Sequence, residues 1–325
     1  QYVSDMAARF SLGPNSMICE VAANDGYLLR HARDKGIPCL GVEPTASTAK
    51  AARALGLEII EEFFGESLGQ KLAASGKAAD LTAANNVLAH VPDINDFVKG
   101  FAALLKPGGV STFEFPHLLN LINLLQFDTI YHEHYSYLSL IAVQRIFEKN
   151  GLTVFDVQEL PTHGGSLRVF AQRTDTGKHP ITAAVTDILS RERAAHLDNL
   201  KGYEGFQQKS ETVKNNLVTF LIEAKNSGKK VAGYGAAAKG NTMLNFAGIR
   251  PDLLPFVVDR SPGKMGQFLP GSHIPITDEA RIKAEKPDYV LILPWNLRPE
   301  ISAQLAYIRE WGGKFVVAVP EIEVF

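Results

Sequence analysis

Cysteine is nearly absent from this chain: 325 residues carry only Cys19 and Cys39, each inside an apolar run. So small a number excludes a disulfide scaffold and offers no cysteine-rich zinc module. Isolated thiols in strand-like surroundings fit a reducing compartment, so a cytoplasmic location is expected. An excess of charge of one sign is missing as well, because 33 Lys and Arg stand against 35 Asp and Glu for a formal charge of −2. Such a chain has no field that would gather nucleic acid or an anionic membrane, and an anionic substrate must be held by a few local cations. No apolar run approaches the length of a membrane span, and Gln1-Tyr2-Val3-Ser4 lacks the features of a signal peptide. The first residue is not methionine, which leaves two expectations open, a truncated N-terminal segment or an unusual chain that never had one. A small-molecule partner is favoured.

With 46% hydrophobic and 21% charged residues, the chain is long enough for two cores. Strand-like runs at Met17–Ala22, Cys39–Glu43, Leu57–Ile60, Leu81–Ala84, Val110–Phe115, Leu152–Gln158 and Leu167–Gln172 alternate with helical patterns at Tyr27–Lys35, Ala46–Leu55, Ser67–Ser75, Ile94–Leu105 and Ser139–Lys149. This alternation predicts a mostly parallel sheet flanked by helices, with glycine following each helix where a left-handed cap needs it. From about Thr174 the composition turns polar, and Ile188, Leu197, Leu200, Phe206, Val213, Leu217 and Leu221 recur near helical spacing. The expected division is an α/β domain over 1–173, a helical connector over 174–229 and a second α/β domain over 230–325.

The densest chemistry is Tyr131-His132-Glu133-His134-Tyr135-Ser136-Tyr137-Leu138. Histidine titrates near neutrality, and an adjacent carboxylate or phenol can set its tautomer, which is what a general base requires. His134 and Tyr131 are the first candidates, with Glu133 beside them. A metal site or a solvated turn is the plainer alternative, and the run alone leaves it open.

Glu20-Val21-Ala22-Ala23-Asn24-Asp25-Gly26 joins the first strand to the first helix, where parallel α/β sheets bind nucleotides. A dinucleotide fold would carry a glycine fingerprint here to admit pyrophosphate. This loop has one glycine and two acids, which repel pyrophosphate and suit the sulfonium and ammonium of S-adenosylmethionine. Glu43 ends the second strand where a carboxylate can accept from ribose hydroxyls. Phe64, beside Phe63, is a candidate for adenine contact or for core packing, and Asn85-Asn86 end the fourth strand near a cofactor's polar groups.

Gly233-Tyr234-Gly235-Ala236-Ala237-Ala238-Lys239 follows a later strand and opens a helix, so loop amides and Lys239 could cradle a phosphate. A nicotinamide-dependent oxidoreductase using this loop is one alternative. A non-catalytic nucleotide-sugar binding protein is another.

Taken together, Glu20–Gly26, Gly41-Val-Glu-Pro44, Ala84–Pro92, Phe127–Tyr135, Leu160–Gly165 and Gly233–Lys239 resemble the S-adenosylmethionine-dependent sugar C-methyltransferases that act on nucleotide-linked 4-keto deoxysugars. The resemblance runs over nearly the whole chain. It implies a Rossmann-like class I methyltransferase domain, a helical connector and a smaller Rossmann-like domain that contributes to nucleotide-sugar binding. It implies that Tyr131 and His134 move the proton and that His90 faces the reacting centre. His163 of the His-Gly-Gly turn is either an oxyanion donor or a turn residue. Tyr137, Tyr234 and Lys239 are expected at the substrate. Two departures stand out: the family commonly has glycine where Ala22 stands, and its N-terminal zinc module is absent, so no metal is expected.

Overall fold

Seven apolar runs of the first half assemble into one sheet in the computed structural model, which describes residues 1–325. The strands are β1 (Ile18–Val21), β2 (Cys39–Val42), β3 (Ile59–Ile60), β4 (Ala79–Asn85), β5 (Leu105–Pro116), β6 (Leu152–Leu160) and β7 (Ser166–Arg173). Their order is β3-β2-β1-β4-β5-β7-β6. The first five are parallel, and β7 runs antiparallel between β5 and β6. The hairpin expected around Pro161–Gly165 is therefore the β6–β7 turn.

β1 is buried at all four positions, as a central parallel strand covered on both faces must be. Helix Ile94–Leu104 begins at Asp93, whose carboxylate accepts from the amides of Asn95 and Asp96. Its Phe97 and Phe101 continue through Phe113 to Phe147 of helix Leu140–Lys149, with successive ring centroids 5.0, 4.7 and 4.7 Å apart. This aromatic row fixes the helices over β5 and hence the ends of β4 and β5. Helix Tyr2–Arg9, which the periodicity did not predict, buries Val3 and Met6 against the same sheet. Cys19 is buried, and its thiol is pushed up to about 12 by burial, with Glu20 and Cys39 adding to it.

A second sheet forms from β8 (Val231–Tyr234), β9 (Val257–Val258), β10 (Ile276–Thr277), β11 (Tyr289–Ile292), β12 (Lys314–Val317) and β13 (Glu323–Val324). Its order is β10-β9-β8-β11-β12-β13, parallel except for β13. The two-residue strands β10 and β13 carry too little pattern to be read from sequence.

The chain divides into one unit of residues 1–119 and 135–202 and another of residues 120–134 and 203–325. The polar stretch 174–229, expected as one connector, is shared between them. Helix Ala183–Ala194 packs Val185, Ile188 and Leu189 into the first core, whereas helix Phe206–Asn226 buries Val213, Leu217 and Leu221 in the second. Residues 120–134 also join the second core, through Phe127. No helix is long and apolar enough to cross a membrane.

Candidate active site

In the first unit the polar residues gather at the carboxyl ends of β1, β2 and β4. Glu20 is 1% exposed, and its Oε2 has no hydrogen-bond partner. Burial raises its carboxyl well above the ordinary range, and the neighbouring Asp25 and Glu43 raise it further. Glu43 accepts from the amide of Asn24 at 3.0 Å through Oε2 and from the amide of Thr45 at 2.8 Å through Oε1. Each carboxylate oxygen keeps a lone pair for a further donor. The Oδ1 atoms of Asn85 and Asn86 are likewise buried and unpartnered.

These orphaned acceptors would be costly if nothing reached them, and a ligand rich in N–H and O–H donors satisfies them. The donor set thus fits the ammonium, ribose and adenine amine of S-adenosylmethionine. The loop between β1 and its helix is unusual in backbone. Ala22 has φ 60°, Asn24 φ 52° and Gly26 φ 80°, and a Cβ on Gly26 would collide with Leu57. Ala22 therefore holds the left-handed conformation that glycine adopts without strain. Asp25 accepts from the amide of Tyr27 at 3.2 Å.

Phe64 packs on Phe97 and Phe101, centroids 5.8 and 4.7 Å apart, so its ring belongs to the core; Phe63 is 86% exposed. His90 closes the short helix Leu88–His90 after β4, and the carbonyl of Ala89 accepts from the amides of Tyr135 and Ser136. His163 is exposed at the β6–β7 turn with φ 57°. That turn is tied down by Glu114, whose Oε1 accepts from Thr162 at 3.1 Å while its Oε2 pairs with Arg168 at 2.9 Å. Tyr137 is half-buried just ahead of Leu138, which pairs with His117.

Tyr131, Glu133 and His134 lie in the second unit. His134 Nδ1 is 2.8 Å from the carbonyl oxygen of Thr129. A carbonyl can only accept, so Nδ1 carries a hydrogen in this contact. The Tyr131 ring lies 4.3 Å from the imidazole, centroid to centroid, and the His134 amide donates to the Tyr131 carbonyl at 3.0 Å. Glu133 is exposed. No group of three or more His, Cys, Asp or Glu is arranged to hold a metal ion.

The same unit carries the glycine loop. Gly235 has φ 95°, and a Cβ there would collide with Pro294, so the β8 turn requires glycine. Lys239 lies in the first turn of helix Ala238–Phe246, its ammonium 4.7 Å over the Trp295 ring and 3.3 Å from Asn296 Oδ1. Burial lowers its pKa, and Asp128 opposes that. The Tyr234 ring enters the core and its hydroxyl accepts from Gln304 Nε2, which leaves the loop backbone as its route to a ligand.

Two family patterns cover this chain: one described as a methyltransferase domain matches residues 1–157, and one described as the C-methyltransferase C-terminal domain matches residues 161–320. The C-methyltransferase NovU of Streptomyces niveus is 36% identical over 316 residues, 97% of this chain and 75% of that protein. The chain belongs to the S-adenosylmethionine-dependent C-methyltransferase family. Magnesium protoporphyrin IX methyltransferase of Synechocystis PCC 6803, with bound SAH, overlays with TM-score 0.42 at 15% identity, over 53% of this chain and 80% of that one. A SAM-dependent methyltransferase of Thermotoga maritima gives 0.40 at 17% identity, over 53% and 88%. The fold of this C-methyltransferase is the Rossmann-like class I arrangement followed by a second α/β sheet. The oxidoreductase alternative is not favoured by the two family patterns or by NovU.

Sequence reasoning passed over four groups of this C-methyltransferase. They are the Thr129 carbonyl, the buried Asp128, Trp295 with Asn296, and Glu114. Asp128 and Thr129 sit inside the Phe127–Tyr135 motif, where an acid directly after Phe127 was the available signal.

Proposed function

We propose that this C-methyltransferase adds a methyl group to the carbon beside the ketone of a nucleotide-linked keto-deoxysugar, by way of an enolate. The observation that carries this reading is the His134 imidazole, held by the Thr129 carbonyl as the Nδ1–H tautomer with Tyr131 against its ring. The Gly233–Lys239 loop belongs to the same unit and supports a diphosphate-bearing substrate.

Glu43 would hold the donor's ribose and Glu20 its methionine end. When bound, the donor supplies an electrophilic methyl on a sulfonium. His134 Nε2 takes the hydrogen on the carbon next to the ketone, and the electrons of that C–H bond move into the ketone to give the enolate. Tyr131 donates to the developing oxyanion, and His90 and His163 are carried in the same proposal as further donors. The enolate carbon then takes the methyl as the sulfur departs with the bonding pair, and the proton on His134 passes to water. No covalent bond to the protein is needed. Lys239 and the loop amides would hold the diphosphate, and Tyr137 the sugar.

Incubation with a panel of UDP- and dTDP-linked 4-keto deoxysugars and 13C-methyl-labelled donor tests the reading. A new 13C methyl resonance coupled to a ring carbon is expected from at least one of them. Absence of product with every keto sugar, or a label carried on oxygen or nitrogen, would overturn it.

A further inference from the structure

Asp128 is a carboxylate in an apolar setting that the reaction outlined above does not use. It sits in the 3-10 turn Phe127–Thr129 and is 1% exposed. Its Oδ2 accepts the indole hydrogen of Trp295 at 2.7 Å, and its Oδ1 is buried with no hydrogen-bond partner. The cation it faces is Lys239, stacked over that same indole and bonded to Asn296. Burial raises the Asp128 carboxyl, while Trp295 and then Lys239 pull it back.

The other side of the turn leads to the base. Thr129, the next residue, gives its carbonyl to His134 Nδ1 at 2.8 Å, and its hydroxyl donates to the Gln126 carbonyl at 2.8 Å. Phe127 packs edge-on against Phe246, centroids 5.3 Å apart, at the far end of the helix that Lys239 opens. A short run of three residues thus reaches Trp295, over which Lys239 stacks, through one side chain and the histidine through one carbonyl. A half-satisfied buried carboxylate costs free energy that an apolar residue there would not, so it specifies an arrangement rather than adding stability.

We propose that Asp128 is a positioning residue that links the Lys239 loop to the base: its carboxylate aligns Trp295 and the Lys239 ammonium, and its turn presents the Thr129 carbonyl that keeps the hydrogen on His134 Nδ1. This rests on the reading of Lys239 and His134 given above. An anion seated on Lys239 competes with Asp128 for the ammonium, so occupancy of the loop is felt by the turn and by the imidazole.

The test uses the 15N-histidine-labelled full chain, with the His134 signal assigned by its loss in His134→Asn and with UDP as the probe. Wild type is expected to show the Nδ1–H tautomer and a shift of that signal when UDP binds. Asp128→Asn keeps the shape and an acceptor for the indole but removes the charge; it is expected to lose most of the UDP-induced shift. Its kcat should fall by about 10- to 100-fold with donor KM unchanged, as for a misaligned base. An Asp128→Asn protein with wild-type tautomer, UDP response and kcat overturns the link. If that variant fails to fold, Trp295→Phe, which removes the indole N–H from Asp128 and leaves a smaller ring under Lys239, carries the same criterion. Failure of both UDP and dTDP to bind wild type in calorimetry overturns the nucleotide reading and the link together, whereas binding of either with a silent His134 overturns the link alone.

Discussion

Asp259 stands to the loop after β8 as Glu43 stands to the loop after β1. Glu43 accepts from the amides of Asn24 and Thr45 at 3.0 and 2.8 Å; Asp259 accepts from those of Ala236 and Ser261, both at 2.8 Å. In each unit an acid just beyond the second strand bridges the first loop and the residue two places on. Lys264 completes the second set, 3.2 Å from Asp259 and 2.9 Å from the Ala236 carbonyl. The two acids fix the shape of their loops.

That parallel separates the two pockets by mutation. Glu43→Ala should weaken S-adenosylmethionine binding by about 1–3 kcal/mol through lost contacts to hydroxyls and a loosened loop. Asp259→Ala should leave donor affinity at the wild-type level and weaken UDP instead. Calorimetry with both ligands reads the pattern, and equal losses for both ligands in either variant would contradict it.

Glu20 should make donor binding release a proton. Burial, with Asp25 and Glu43, holds its carboxyl above the ordinary range, and a bound ammonium would return it toward ionisation. Below the raised pKa the free protein holds this proton and the complex gives it up, so affinity should climb with pH through that range. The stability term has the opposite sign: the folded chain binds this proton more tightly than the unfolded chain. Glu20's contribution is therefore full below the unfolded carboxyl pKa and is lost as pH rises towards its folded value. Calorimetry in buffers of different ionisation enthalpy counts the proton, and Glu20→Gln should abolish the release. Buffer-independent heats in wild type would remove Glu20 from the methionine end.

His134→Asn tests the base directly. Wild type should exchange the substrate hydrogen beside the ketone with heavy water in the absence of donor, and the asparagine variant should not, since an amide cannot take a proton. Donor affinity and the circular dichroism spectrum should survive. Tyr131→Phe that exchanges but does not methylate would mark the phenol as the oxyanion donor. Wild-type exchange in His134→Asn would move the base elsewhere, with His90 the next residue to replace.

Ala22→Gly should behave against the usual trend for such a change. A left-handed alanine costs about 1–2 kcal/mol, while the added freedom of glycine in the unfolded chain costs roughly 0.4–1 kcal/mol. With Ala22 at φ 60°, the variant is expected to be as stable as wild type or more stable by up to about 1 kcal/mol. Urea denaturation decides it, and a loss beyond about 1 kcal/mol would mean that the Ala22 methyl contributes packing that outweighs the strain.

Much of the first unit was legible because its signals are local. Runs such as Ile18–Val21 and Cys39–Val42 are apolar except for Glu20, and Gly36 and Gly56 close the helices that follow them at positive φ. The acids Glu20 and Glu43 were visible for the same reason, as polar residues at the ends of apolar strands. Helix Tyr2–Arg9 was not, since it buries only Val3 and Met6 and its leading Gln1 makes no side-chain cap. The aromatic signal left Phe64 open: a phenylalanine for a ligand and one for a core look alike until Phe97 and Phe101 are seen beside it. Asp128 reads locally as a turn former, and only Trp295, 167 residues away, reveals its work. The tautomer of His134 depends on a carbonyl, which no side-chain pattern encodes.

Residues 120–134 leave the first unit to join the second, so the backbone crosses between units at 119/120, 134/135 and 202/203. A single cut near residue 202 would send residues 120–134 off with the first unit, stripped of Trp295 and of the Lys239 helix that Asp128 and Phe127 contact. Anyone grafting the second unit of one such enzyme onto the first unit of another must therefore move two pieces of gene, a fifteen-codon cassette for residues 120–134 and everything from codon 203 onward.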